Sequence, residues 1–324
     1  GEGLIDNHDH GPEDSFSSTT AASFSVDMAI GSVDGNASET VGTAYGYQID
    51  LSTSFTGEDA LSVSLDAGTG ASSLGELDLN SGGDTLTVDG ITYSFPLGDK
   101  VTVLVGDSTD GSALYSTACV YGGFTNTLDD CGNQYSAFTS PSNGATISAS
   151  YDIGNGFTAA FGYAGEGTSD GLMTKAGTDM VGGQLSYAAD TYGISVTYAN
   201  LEDASNSYDA NTIEYLNETT YVGLNAYWTP DSTGTVPSIS VGYETGDVDG
   251  STTADTTQWF VGLQWDEIGP GTVGVAAGSN GTTASNATEL MAYEAFYSYP
   301  VNDGMTITPA VFIMENATGT DDET

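Results

Sequence analysis

Positively charged side chains are almost absent from this sequence. Its 324 residues include two lysines, Lys100 and Lys175, no arginine, and 45 aspartates and glutamates, which give a formal net charge of −43. Nucleic-acid binding needs lysine or arginine to replace the condensed counterions of the phosphates, so this class of partner is excluded. The acidic side chains must be spread widely in water or balanced by cations, and both solubility in saline surroundings and a specific metal role remain open.

Histidine is scarce as well, and its position argues against an enzyme. His8 and His10 lie together in "DNHDHG" near the start of the sequence, so no Ser–His–Asp or Cys–His arrangement can be assembled in the folded body. A solvated tail explains these histidines better than a transition-metal site. Paired carboxylates for glycoside hydrolysis carry little information, because 45 acids guarantee chance pairs. The sequence predicts no catalytic activity and no cofactor, and leaves divalent cations such as Ca²⁺ as candidate ligands of the acidic loops.

Only two cysteines are present, twelve residues apart in "CVYGGFTNTLDDC". No histidine or further cysteine lies nearby to complete a zinc site. We predict that Cys119 and Cys131 form a disulfide that closes this loop, which indicates an oxidising place outside the cytoplasm. A pair of free thiols is the alternative.

Long apolar runs are also missing, since none approaches the roughly 18–20 residues of a transmembrane helix. No extended 3.6-residue period appears either, whereas period-2 alternation bounded by Gly, Pro, Asn and Asp recurs along the chain. The sequence therefore predicts an all-β protein. Fifteen strands are expected: 19–32, 43–56, one carrying Leu61, Val63 and Leu65, 85–95, 100–106, 144–153, 156–164, 181–188, 192–199, 219–229, 236–244, 256–266, 271–278, 288–299 and 304–314.

The connections between these strands alternate strictly in length. Short turns such as "TGED", "PLGD" and "PVNDG" alternate with long acidic segments rich in Ser, Thr, Asn and Gly. In an up-and-down meander, alternate connections lie at the same end, so one end carries tight turns and the other carries long loops. A soluble sandwich has no reason to sort its loops in this way, whereas a transmembrane up-and-down antiparallel β-barrel does.

Aromatic side chains cluster beside the short turns. An interfacial girdle requires aromatic rings at one level, where they settle at the lipid headgroups. Aromatic capping of a sandwich edge is the alternative. The predicted girdle consists of Tyr93, Phe95, Tyr227, Trp228, Trp265, Tyr297 and Tyr299.

With these features, the chain resembles the porins of cyanobacteria, particularly the major outer-membrane porins of marine picocyanobacteria. The resemblance covers most of 14–324 and rests on "DSFSSTT", "YGYQIDLSTSFTGEDALSVSLDAG", "YSFPLGDKVTVLVG", "YWTPDSTGTVPSISVGYETGD", "WFVGLQWDEIGPGTVGVAAG" and "YEAFYSYPVNDGMTITPAVFIMENATGTDDET". It implies a barrel of about sixteen strands in the bacterial outer membrane, often a homotrimer, that passes ions and small solutes by diffusion.

The sequence departs from that family at both ends. The given residues do not include the S-layer-homology domain that family members usually carry, and they end at Thr324 before the last strand that the family would add to the fifteen predicted here. Either the given chain is incomplete at its C-terminus or this member closes its barrel differently. We expect residues 1–18 to be an N-terminal tail or linker and residues 19–324 to be the barrel domain.

Acidic residues are the predicted lining of the pore. If the small-residue faces of the strands point inward, Asp27, Asp50 and Asp66 line the lumen, and rings of carboxylates favour cations. The longest loop, 107–143, contains the predicted disulfide. It either folds inward as the constriction, with its acids near the pore, or stays outside as a pinned external loop. These loop acids are Asp107, Asp110, Asp129 and Asp130.

A second class of protein shares much of this chemistry. A secreted, acidic, all-β surface-layer, adhesion or filament protein stabilised by divalent cations would have the same acidity and disulfide. It would not need aromatic girdles or sorted loops, and it would dissolve without detergent.

Overall fold

The computed structural model describes residues 20–35, 39–69, 72–77, 79–80, 83–133, 135–136, 144–166, 171–174, 177–202, 208–209, 214–215, 218–231, 234–249 and 255–316. The predicted tail, 1–18, lies outside these residues. The strands are β1 Thr20–Gly31, β2 Gly42–Thr53, β3 Ala60–Gly68, β4 Thr87–Leu97, β5 Val101–Asp107, β6 Ala145–Gly154, β7 Phe157–Gly165, β8 Asp179–Ala188, β9 Tyr192–Glu202, β10 Tyr208–Asp209, β11 Glu214–Tyr215, β12 Glu218–Trp228, β13 Ser238–Asp249, β14 Thr256–Ile268, β15 Gly271–Ser279, β16 Thr283–Ala284, β17 Met291–Asn302, β18 Met305–Ile307 and β19 Ala310–Met314.

All fifteen predicted strands are confirmed. The final one is divided into β18 and β19, and Pro309 lies in the gap, because proline has no N–H to give to the ladder. The structure adds the two-residue strands β10, β11 and β16 and a short 3₁₀ helix, Ser72–Leu77. No helix among the described residues is long and apolar enough to cross a membrane.

The strands form an antiparallel meander in which each long strand pairs with the next one along the chain. The ladder runs without interruption from the β1–β2 pair to the β17–β19 pair, with β9 joined directly to β12. Within the described residues, β1 pairs only with β2 and β19 only with β17, so these two strands are the edges of the sheet. The predicted all-β, up-and-down antiparallel architecture is confirmed.

Tight turns and long connections are sorted to opposite ends of the sheet, as the sequence predicts. A representative tight turn joins β6 to β7 through Asn155 and Gly156, which both adopt left-handed φ values, of 55° and 84°. One pair of successive connections departs from the strict alternation of short and long lengths. Strand β13 extends to Asp249 rather than ending at residue 244, which makes the next connection, 250–255, shorter than the 229–237 turn region.

The two faces of the sheet have inverted polarity compared with a soluble protein. On β8, Leu185 is 51% exposed while its neighbour Gln184 is 5% exposed; on β9, Val196 is 48% exposed and Thr197 is fully buried. A soluble sandwich buries its apolar face and exposes its polar one. Here the apolar face, called the outer face below, is exposed, and the polar inner face is covered, which is the arrangement of a transmembrane barrel.

Candidate functional site

The connection between β5 and β6 lies on the inner face of the sheet. Its described residues from Gly111 to Ser136 are called the inner segment below. Alternate backbone amides of this segment donate hydrogen bonds to polar side chains on the inner face of the strands, which are called the wall below. The pairs are Ser116 N to Gln184 Oε1 at 2.6 Å, Ala118 N to Ser195 Oγ at 3.0 Å, Val120 N to Ser240 Oγ at 3.0 Å and Gly122 N to Gln264 Oε1 at 3.1 Å. An extended segment without a strand partner must satisfy its amides elsewhere, and the wall supplies the acceptors.

Glu294 on β17 is the acceptor for a cluster of donors from the inner segment. Its carboxylate accepts hydrogen bonds from the Tyr121 hydroxyl at 2.7 Å, from the amide of Phe124 at 3.4 Å and from the amide of Thr125 at 3.1 Å. The Thr125 hydroxyl donates to the same carboxylate. Burial, and then the adjacent Glu294 charge, raise the pKa of Tyr121 above its usual range. Glu294 is 2% exposed, so these charge-assisted bonds are shielded from water.

A second carboxylate holds the far end of the inner segment. Glu244 on β13 accepts hydrogen bonds from the amides of Tyr135 at 3.2 Å and Ser136 at 2.6 Å, and it is 1% exposed. The sequence reasoning missed both Glu244 and Glu294. Each is the one acid in a short run of neutral residues, "VGYETG" and "AYEAF", and that contrast was the available signal.

Glycines on the wall allow the inner segment to approach closely. A Cβ atom at Gly162 would lie 1.8 Å from the Gly111 carbonyl oxygen, and one at Gly242 would lie 1.8 Å from the Cys131 carbonyl oxygen. Neither contact is with a flexible side chain, so only glycine fits at these two positions. The backbone of the inner segment therefore lies directly against β7 and β13.

The predicted disulfide between Cys119 and Cys131 is confirmed. It closes a part of the inner segment that has its own apolar contacts with the wall. The Tyr121 ring packs 5.4 Å from the ring of Phe260, and the Phe124 ring packs edge-on 5.8 Å from that of Phe296. These aromatic contacts add to the hydrogen bonds that hold the segment on the inner face.

The inner segment covers only part of the inner face. From β6 to β17 the polar side chains of this face are buried, as at Ser148, Thr197 and Glu294. From β1 to β5 the corresponding side chains are half-buried or exposed, as at Ser25 and Ser64. The amides of the inner segment bond to strands from β8 to β17, which explains the difference. The more open part of the inner face therefore lies along β1–β5, although Leu74 of the 3₁₀ helix packs over the end that carries Gly31 and Ala44.

Three of the predicted pore acids lie on this open part. Asp27, Asp50 and Asp66 alternate with the apolar outer residues of β1, β2 and β3 and share the inner face. Asp50 accepts hydrogen bonds from Ser64 Oγ at 2.7 Å and Gln48 Nε2 at 2.9 Å. Asp27 borders a polar cavity of about 150 Å³.

The four loop acids are separated by the structure. Asp107 is the last residue of β5, and strand alternation puts its exposed side chain on the outer face with Val103 and Val105 rather than beside the inner segment. Because side chains alternate with a period of two, Asp107 lies two residues beyond Val105 and faces the same side of the sheet. Asp110 lies in a turn, where its backbone carbonyl oxygen accepts a hydrogen bond from Ala113 N at 3.1 Å.

Asp129 and Asp130 lie in the inner segment, close to the wall. Asp129 is exposed, whereas Asp130 is half-buried, and its Oδ1 accepts a hydrogen bond from Gly132 N at 3.0 Å. Burial raises the pKa of Asp130 to about 7, and the carboxylates of Asp129 and Glu244 contribute.

Strand alternation places six of the seven predicted girdle residues on the outer face of the sheet. Tyr93 and Phe95 share the outer face with ring centroids 5.6 Å apart, and Tyr297 and Tyr299 do so at 6.3 Å. Trp228 and Trp265 also alternate onto the outer face. Tyr227 does not, since it is adjacent to Trp228 and packs instead over Gly193 on the inner face. The sequence reasoning also missed three aromatic residues beside tight turns: Phe157, Tyr187 and Tyr192.

The described part of the chain contains no metal site built only from acidic, histidine and cysteine side chains. Within the described ranges, no three such residues converge in a way that could hold a metal ion.

Solved structures with this arrangement are bacterial porins, and the fold of the chain is the porin β-barrel. An anion-selective porin from Comamonas acidovorans matches with a TM-score of 0.61 at 14% identity, covering 92% of this chain and 90% of that chain. OprB from Pseudomonas putida matches with a TM-score of 0.59 at 11% identity over 93% and 91%. A mutant porin from Rh. blastica matches with a TM-score of 0.57 at 15% identity over 94% and 97%. No protein-family model matches the chain, and no curated protein matches its sequence.

Proposed function

We propose that the protein is an outer-membrane diffusion porin that passes ions and small hydrophilic solutes and favours cations. One observation carries the proposal: the apolar outer face is exposed along the whole sheet, while the polar inner face is covered by the inner segment from β6 to β17 and open along β1–β5. An exposed apolar face fits lipid, and an open polar strip beside a packed segment fits a narrow aqueous passage. The acidic coat protein is not favoured, because such a protein would have to bury the apolar face.

The inner segment acts as the constriction in this proposal. It leaves a passage between itself and the open strip, and the disulfide from Cys119 to Cys131 holds its shape. Asp27, Asp50 and Asp66 line the open side of the passage.

Cation preference follows from the sign of the charges along this passage. Every ionisable side chain on the open inner face of β1–β3 is a carboxylate, and the chain has no arginine to set against them. A carboxylate-lined constriction attracts cations and repels anions. The Comamonas porin is described as anion-selective, so the fold alone does not determine the sign of selectivity. We assign the protein no catalytic activity.

The experiment is a planar-bilayer recording of the detergent-purified protein across a KCl gradient. Stepwise conductance with a reversal potential that favours K⁺ is expected from the wild type. A variant that combines Asp27→Asn, Asp50→Asn and Asp66→Asn should move the reversal potential towards zero, whereas Asp107→Asn on the outer face should leave it unchanged. Protein that stays soluble without detergent and forms no channels would overturn the porin assignment. Equal shifts in both variants would overturn the proposed passage.

The source and the assembly state of the protein follow from the sequence resemblance. On that basis the protein belongs to the outer membrane of a cyanobacterium and assembles as a homotrimer. Light scattering of the protein–detergent complex, corrected for bound detergent, should give three times the mass of one chain. A mass of one chain would contradict the trimer and leave the single-barrel pore intact.

A further inference from the structure

Two acidic side chains and one amide meet where the inner segment crosses β13 and β14. Glu244 and Gln258 are directly opposite each other on these two strands, and they are 1% and 2% exposed. Asp130 of the inner segment reaches the same place, since the Gln258 side chain hydrogen-bonds to its carboxylate and the charge of Glu244 acts on it. The junction thus gathers groups from three separate parts of the chain.

One oxygen atom at this junction has no partner. The Gln258 Oε1 atom is buried and accepts no hydrogen bond from any described residue. Buried polar atoms are nearly always satisfied, so an orphaned carbonyl oxygen points to a group that binds there. On the neighbouring Glu244, Oε1 accepts a long hydrogen bond from the Tyr135 amide, at 3.3 Å, and a carboxylate oxygen has room for more than one such partner.

The charge at the junction is uncompensated. Asp130 and Glu244 are both acidic. In the part of the chain that the structure describes, the one positively charged side chain is Lys100, and its Nζ lies at the tight-turn end of the sheet, 3.5 Å from the Ile153 carbonyl oxygen. Buried carboxylates that have no positive partner are costly, so a bound cation would offset a large desolvation penalty.

Other unpartnered atoms at the same interface are of a different kind. Tyr115 Oη and Asn225 Oδ1 are also buried without a hydrogen-bond partner, and both lie where the inner segment meets the wall. Neither is next to two carboxylates, and an ordered water satisfies such isolated neutral groups. At this interface, the Gln258 Oε1 atom is an orphaned oxygen that lies beside two carboxylates from different parts of the chain, Asp130 and Glu244.

We propose that a calcium ion binds between Asp130, Glu244 and Gln258. Two carboxylates and an amide carbonyl are hard oxygen donors of the type that Ca²⁺ prefers, and water molecules complete its six to eight ligands. Mg²⁺ fits less well, because it demands near-ideal octahedral geometry and gives up its waters reluctantly. A monovalent ion would leave net negative charge in the buried junction. The ion joins the inner segment to β13 and β14 beside the disulfide.

The proposal does not rest on the pore function, and its test needs no conduction. Calcium alone is titrated calorimetrically into EDTA-stripped, detergent-solubilised full-length protein at fixed pH. The wild type should show one saturable site above the weak background expected of so acidic a chain. Asp130→Asn should weaken this site by at least about tenfold, because changes outside the ligand set already cost 10–100-fold in metal sites. Asp107→Asn, which removes the same charge from the outer face, should bind calcium like the wild type.

A second variant covers the case in which Asp130→Asn fails to fold. Gln258→Met removes the orphaned oxygen at similar volume, leaves both carboxylates, and should weaken calcium binding severalfold. In parallel, calcium should raise the melting temperature of the wild type and of Asp107→Asn more than that of Gln258→Met. Absence of a saturable site in the wild type, or equal affinity in the wild type and Gln258→Met, would overturn the proposal.

Discussion

The Tyr121 hydroxyl donates a 2.7 Å hydrogen bond to Glu294, a strand residue 173 positions further along the chain. The same carboxylate also accepts hydrogen bonds from the backbone amide and the hydroxyl of Thr125. One buried acid of the wall thereby fixes the part of the inner segment next to the disulfide. The position of this segment decides which part of the inner face stays open, so its attachments are the features to test.

Replacing Glu294 with Gln should loosen the inner segment. The amide cannot accept from all of these donors and turns an N–H towards them, and each lost bond to a charged group is worth about 1.5–3 kcal/mol. Hydrogen exchange measured by mass spectrometry should therefore speed up at least about tenfold for residues around Thr125. Glu58→Gln, at an exposed tight turn, is the matched control and should not change exchange there. Unchanged protection of the segment in the Glu294 variant would contradict this role.

Removing the disulfide should increase fluctuations of the inner segment and leave the sheet intact. For a closed loop of this length, the cross-link contributes about 3 kcal/mol by restricting the opened chain. A Cys119→Ser/Cys131→Ser double variant should show the strand circular dichroism of the wild type with noisier open-channel current. Reductant should raise the noise of the wild type to the same level and have no effect on the double variant. Equal noise with and without the disulfide would show that the wall contacts alone hold the segment.

Gly242→Ala should displace the inner segment from β13. The new methyl group would meet the Cys131 carbonyl oxygen at 1.8 Å, and neither backbone can move without breaking other bonds. Overpacking of this kind costs about 1–3 kcal/mol, which should appear as a lower melting temperature and faster exchange around Cys131. Gly122→Ala is the control, since its methyl group would meet nothing closer than 3.9 Å. Comparable losses in the two variants would show that the effect is a general glycine effect and not a specific collision.

Asp59 should stabilise its tight turn in a pH-dependent way. Its carboxylate accepts from the amides of Phe55 at 2.9 Å and Thr56 at 2.7 Å and from the Tyr93 hydroxyl at 2.7 Å. These bonds, the Thr56 amide first, hold the pKa of Asp59 well below its usual range. A lowered folded-state pKa means that the stabilisation is present above the unfolded value of about 3.9 and is lost as the pH falls towards the folded value.

The measurement for Asp59 is the melting temperature of the wild type and of Asp59→Asn between pH 7 and pH 2. The variant should melt lower at pH 7, and the gap should narrow below about pH 4. Asp99→Asn, which removes a carboxylate from another tight turn, is the control for the change in net charge. A gap that is constant across the range would assign the effect to hydrogen-bond geometry and not to charge.

The strands were predictable from local alternation, and the residues that attach the inner segment were not. Period-2 patterns predict all fifteen long strands because each pattern depends only on neighbouring residues. Tyr227 and Trp228 were grouped because both lie beside a tight turn, but adjacent residues of a strand face opposite sides of the sheet. Glu244 and Glu294 could not be predicted as attachments, since their partners are 108 and 169 residues away at Ser136 and Thr125.

The sequence by itself determined that the chain forms a β-meander with sorted connections, one cross-linked loop and an acidic surface. Alternation, turn residues and cysteine spacing are local properties, and composition is independent of the fold. Only the tertiary structure decided that the cross-linked segment lies on the inner face, and that it covers β6–β17 and leaves β1–β5 with Asp27, Asp50 and Asp66 open. The physical reason is that contacts between distant parts of the chain depend on wall glycines, buried acceptors and ring packing, which fit together only when the strands are assembled.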